Sequence, residues 1–127
     1  MNEFIQVLTT TDHPERAETI ATELLQRKLA ACVQIGGPIA SRYWWKGRLE
    51  TAQEWVCVIK TRRSLYADIE RQIRSIHPYE TPEIIALPIV DGSRQYLSWI
   101  ADSTARGPQS ASASGQSEAD ERGDRMG

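Results

Sequence analysis

The chain has 127 residues, a formal net charge of -2 at pH 7 and a quarter of its residues charged. That length suits one domain with a modest core, and the near-balanced, slightly acidic total carries no electrostatic footprint for nucleic acid or an anionic membrane. The first residues, Met1-Asn2-Glu3-Phe4, hold no basic region, and no apolar run has the length of a signal or membrane segment. A cytoplasmic protein is therefore expected, with no membrane and no nucleic-acid partner and with Cys32 and Cys57 both reduced.

Residues 4–8 have strand composition. Asp12 and Glu15 stand at capping-box spacing, Pro14 suits a first helical turn, and Ala17, Ile20, Ala21 and Leu24 recur on one helical face. A strand follows from Ala31, is broken or bulged at Gly36-Gly37-Pro38, and resumes from Ile39 to Trp45. Lys46-Gly47 reverses the chain as a tight hairpin. That register places Cys32 opposite Thr61 and Cys57 opposite Gly36, too far apart along the strands for the ~7 Å that a disulfide spans between Cα atoms.

The return strand carries Trp55, Val56, Cys57, Val58 and Ile59, apolar on both faces. Ser64 is placed to cap a second helix bearing Leu65, Ile69, Ile73 and Ile76 on one face. A strand is expected over residues 83–90, with Pro88 marking an edge or a strand end. A turn at Asp91-Gly92-Ser93 then leads into a short helix with Tyr96, Leu97 and Ile100.

This order is α+β: a ferredoxin-like βαββαβ antiparallel sheet with two main helices on one face and a short C-terminal helix. The opposite sheet face must hold either Val56 and Val58 or Trp55, Cys57 and Ile59. Apolar in both cases, it calls for closed self-association. Residues 103–127 have no Ile, Leu, Val, Phe, Tyr or Trp. The domain is therefore expected to occupy residues 1–102, followed by a disordered Ser/Ala/Gly-rich charged tail over 103–127 whose removal leaves folding intact.

Between the second helix and the last strand lies His77-Pro78-Tyr79-Glu80-Thr81-Pro82-Glu83. Pro78 and Pro82 bias His77 and Thr81 toward extended backbone, so an imidazole and two carboxylates are held on a stiff segment. Such a segment can bind a cation or exchange protons, or it can be a helix stop followed by a strand start.

Leu29-Ala30-Ala31-Cys32, Tyr43-Trp44-Trp45-Lys46-Gly47, Glu54, Lys60-Thr61, His77-Pro78-Tyr79-Glu80-Thr81-Pro82-Glu83-Ile84 and Tyr96-Leu97-Ser98-Trp99 resemble, in order and spacing, the CutA divalent-cation tolerance family. The resemblance runs from Phe4 to Asp102. It implies a ferredoxin-like subunit, a tight homotrimer with inward-packed sheets, a role in tolerance to copper and other divalent cations, and an architecture similar to PII-type signalling trimers. Thr9 stands where some members carry a first-strand cysteine, which disfavours a multi-thiol site.

His77, Cys32, Glu80 and Glu83 are the candidate donors for Cu(II) or another divalent cation: imidazole and thiolate suit copper, and a carboxylate can hold the second imidazole nitrogen. Cys32 and the two acids can equally be a packed thiol and solvated loop charges. Tyr43, Trp45, Lys60 and Tyr79 are the candidate contacts of the alternative, a small-ligand sensor taking an anion or nucleotide in clefts between subunits. Cys57 is expected in the core and His13 in solvent. No enzymatic turnover is expected: acylphosphatase-like chemistry on this topology needs a positioned asparagine amide, and the single asparagine is Asn2.

Overall fold

The structure, a computed structural model, describes residues 3–105. β1 (Phe4–Thr11) leads to α1 (Pro14–Gln26), then to the long hairpin of β2 (Cys32–Trp45) and β3 (Arg48–Arg62). A 3-10 turn at Arg63–Leu65 enters α2 (Tyr66–Ile76), and β4 (Ile85–Pro88) and α3 (Arg94–Asp102) close the chain. Sheet order is β2-β3-β1-β4, with every neighbouring pair antiparallel. This is the expected ferredoxin-like α+β arrangement.

α1 and α2 cover one sheet face. Ala17, Ile20 and Leu24 of α1 meet Ile69 and Ile73 of α2 over Ile5, Val7, Cys57 and Ile59 of the sheet. Each fully buried Ile or Leu contributes about 1.5–3 kcal/mol of transfer free energy. Trp55, Val33 and Ile35 pack against the same core from its rim. The outer face therefore holds Val56 and Val58. Across it run two rows, Gln34–Val58–Leu8–Ile85 and Cys32–Lys60–Gln6–Leu87. α3 packs on β3, and Arg62, at the far end of the outer face, bonds to Thr104 just past α3. Most of the outer face has no covering element among the described residues.

Several local expectations give way to what neighbouring groups do. Asp12 caps nothing: the N-cap of α1 is His13, without a side-chain cap bond, and the Asp12 carboxylate lies 3.0 Å from His13 Nδ1. Ser64 falls inside the 3-10 turn, so α2 begins after Leu65 with no side-chain cap. The last strand shrinks from the expected 83–90 to Ile85–Pro88, pairing only with β1, with Pro88 at its end. Ser93 does cap α3, accepting from the Tyr96 N–H at 3.0 Å.

α1 ends in paired reversal bonds, Leu29 N–H to Leu24 O and Lys28 N–H to Leu25 O, with Lys28 at φ 61 where glycine is usual. Lys46 and Gly47, both at positive φ, form the tight hairpin turn. From that turn to Ile39, opposite Glu54, the pairing follows the expected register. At Gly36–Ile39 a bulge shifts it by one, so Cys32 faces Lys60 rather than Thr61 and Cys57 faces Ile35 rather than Gly36. Both cysteines are free.

The fold does not stop at Asp102. Thr104 is buried, the Arg62 guanidinium donates to Thr104 Oγ1 at 3.0 Å and to the Ala105 carbonyl, and Ala105 N–H donates to Lys28 O at 2.8 Å. Thr104 and Ala105 are thus tied to the domain beyond the expected boundary. The rest of the expected tail, 106–127, lies outside the described residues, as do residues 1–2.

Candidate functional site at the end of the second helix

α2 stops at His77, whose extended backbone (φ -82, ψ 136) is what the following proline demands. The turn carries its imidazole to the end of β1. There Nε2–H donates to the Thr10 carbonyl at 2.7 Å, while Nδ1 accepts from the Tyr79 N–H at 3.2 Å. The two bonds specify the neutral Nε2–H tautomer. Burial holds the imidazole pKa below its ordinary value, against the opposing pull of the Thr10 carbonyl, Asp12 and Glu54.

The Tyr79 ring meets His77 edge to face at 4.7 Å between centroids, and its hydroxyl donates to Glu54 Oε2 at 2.7 Å. Burial, then the Glu54 carboxylate, raises the Tyr79 pKa, so the phenol stays protonated and donating. Glu54 is only 6 % exposed. The result is a polar knot tying β1, the loop after α2, and β3 together. Sequence reasoning singled out His77 and Tyr79 but gave Glu54 no role; the signal available was a carboxylate directly before the apolar run Trp55-Val56-Cys57-Val58-Ile59 of β3.

The other candidates lie elsewhere. Cys32 shares a row with Lys60, four positions along β3 from Val56, which pairs with Thr10. Four positions are roughly 13 Å, so Cys32 and His77 do not share an ion within one subunit. Glu80 and Glu83 are exposed on the loop. Among the described residues no group of three His, Cys, Asp or Glu side chains is placed to hold a metal ion. With both His77 nitrogens bonded to backbone groups, the donors of a single subunit do not fit a preformed metal site.

Of the candidate cleft residues, Tyr43, Trp45 and Lys60 are spread along the hairpin and Tyr79 lies on the loop after α2. Lys60 donates to Gln34 Oε1 at 2.7 Å. Trp45 pairs with Arg48, twelve positions from Lys60 along β3, or roughly 40 Å. Its ring lies under Lys46 Nζ at 5.5 Å. Tyr43 lies close enough to Tyr79 to add to the upward push on its phenol. Cys57 is core as expected, its thiol donating to Ala17 O at 3.8 Å and pushed by burial up to about 11. His13 is exposed. No helix among the described residues is long and apolar enough to cross a membrane.

A ferredoxin-like α+β subunit with a sheet face left largely uncovered among the described residues, and a half-buried His–Tyr–Glu knot beside it, defines the class of protein. The family model of the CutA1 divalent ion tolerance protein matches residues 5–103. The divalent-cation tolerance protein CutA of Archaeoglobus fulgidus is 43% identical over 100 residues, covering 79% of this chain and 95% of the relative. Protein CutA 1, chloroplastic, of rice is 41% identical over 100 residues, but this chain spans only 56% of its length. The crystal structure of rice CutA1 superposes with a TM-score of 0.81 at 39% identity, covering 84% of this chain and 97% of that one. The divalent cation tolerance protein of Thermus thermophilus gives 0.79 at 38%, covering 80% and 99%. The chain belongs to the CutA1 divalent ion tolerance family.

Proposed function

We propose that the chain works as a homotrimer that supports tolerance to divalent cations, copper among them, by binding or responding to the ion without enzymatic turnover. The observation that carries the assembly is the outer sheet face, where Leu8, Val56, Val58, Ile85 and Leu87 gather with no element among the described residues over most of them. Family membership supplies the link to divalent cations, and the resemblance supplies the number three. The donors His77, Cys32, Glu80 and Glu83 are too dispersed in one subunit to act together. On this reading an ion is held by donors that association brings close, or is met by His77 giving up one backbone bond. Free thiols suit a cytoplasmic location.

Calorimetric titration of Cu(II) into the parent and into His77→Ala tests the metal assignment. A loss of at least about tenfold in affinity supports His77 as a ligand; equal affinity removes it and leaves the knot a structural tie. The second reading is a PII-like sensor with Tyr43, Trp45, Lys60 and Tyr79 as contacts. Their spread over the hairpin and the loop after α2 supports it only with residues drawn from different subunits. An anion or nucleotide that raises the melting temperature of metal-free protein would favour it.

A further inference from the structure

We infer that Glu54 is the docking point for a guanidinium or ammonium group supplied from outside residues 3–105. Glu54 lies on the outer face by alternation with Val56 and Val58, beside the bulge and opposite Ile39. It is nine-tenths buried, and its donor in the subunit is a neutral phenol. A carboxylate largely withdrawn from water is best held by a compensating charge or several donors, and one hydroxyl is a weak substitute.

The charged groups around Glu54 do not provide that compensation. Among the described residues the close ionic contacts join Asp12 to His13, Glu23 to Arg27, Asp68 to Arg71 and Glu70 to Arg74, and none reaches Glu54. His77 is near, but its two nitrogens face Thr10 O and Tyr79 N–H in the neutral tautomer. Asp12 adds negative charge near the same two rings, and Arg16, whose charge reaches His77, forms no ion pair with Glu54. The phenols of Tyr79 and Tyr43 lie close by, and aromatic faces beside a carboxylate suit a flat or alkylated cation.

One chemistry has three sources: an Arg or Lys of a second copy, a free organic cation, or an arginine of residues 106–127. The inference is independent of the metal assignment. Its test compares the full-length parent with Glu54→Gln, which preserves shape and the acceptor for Tyr79 while removing charge. Sedimentation follows self-association, and calorimetry follows arginine methyl ester against sodium chloride at equal ionic strength.

Self-association weakened at least about tenfold in Glu54→Gln assigns the cation to a second copy. Unchanged assembly with ester binding weakened by a similar factor assigns it to a free ligand. A lower melting temperature alone, reproduced by ending the parent at Ala105, assigns it to residues 106–127. If Glu54→Gln matches the parent in all three measurements, the inference is overturned. Should the variant not fold, the parent decides: the ester must raise its melting temperature or compete with its assembly, and neither effect overturns the inference as well. A monomeric parent removes the trimer reading and leaves the ester titration to judge Glu54.

Discussion

His77 contributes to the fold as a neutral ring with one donor and one acceptor. Protonation would place an N–H where Nδ1 now accepts from Tyr79. Because burial lowers the folded-state pKa below the ordinary imidazole value, the unfolded chain binds the proton more readily. The contribution is therefore fully present above the unfolded value and is lost as pH falls through the folded one. Melting temperatures measured from about pH 7.5 to about pH 5 should fall less steeply for His77→Gln than for the parent. Parallel slopes would mean that the knot does not couple to protonation. None of this was visible around residue 77. The imidazole's acceptor, Thr10, lies 67 residues away and the acceptor of Tyr79 lies 25 away, so the sequence displayed reactive groups without the partners that occupy them.

At the scale of elements, Gly37 has the least freedom. Its φ is 149, and an added Cβ would lie 2.6 Å from Trp55 Cδ1 and 2.9 Å from the Glu54 carbonyl oxygen. Gly37→Ala should destabilise the protein by about 2–4 kcal/mol, read from the denaturation midpoint, since backbone and a rim-packed indole both stand in the way. A change under about 0.5 kcal/mol would mean that the bulge can open. The helices were the most legible elements, because Ala17, Ile20, Ala21 and Leu24, and Leu65, Ile69 and Ile73, repeat at helical spacing and are all buried. Their starts were not. Asp12 and Ser64 are good caps by type, but a neighbouring imidazole and a 3-10 turn displaced them. The site was legible in its residue types and illegible in its grouping, since the spread of Lys60, Tyr79 and Trp45 depends on strand register.

For the whole molecule, the outer face bears on assembly and the C-terminal corner on the extent of the fold. Val58 sits mid-face between Gln34 and Leu8. Val58→Asp should leave far-UV circular dichroism unchanged and convert the assembly to monomer in sedimentation, because a carboxylate there cannot be desolvated unpaired. An intact trimer would move the interface elsewhere. At the C-terminal corner, ending the chain after Ala105 should preserve stability. Ending it after Asp102 removes the bonds from Arg62 and to Lys28 and should cost about 1–3 kcal/mol by chemical denaturation. Equal stability of the two truncations would show that the corner is not part of the cooperative fold.

The bulge between Gly36 and Ile39 acts as a parity switch. Below it, even-numbered β2 residues such as Cys32 look outward; above it, odd-numbered ones do, so Ile39, Tyr43 and Trp45 share a side with Glu54 while Trp44, 72% exposed, takes the other. A chain shortened by one residue at Gly36 would keep both runs of pairs with β3, and with them the sides that Tyr43 and Trp44 face, but would lose the bulge and the bend that goes with it. The extra residue therefore sets how the upper hairpin is aimed, not which side chains it shows.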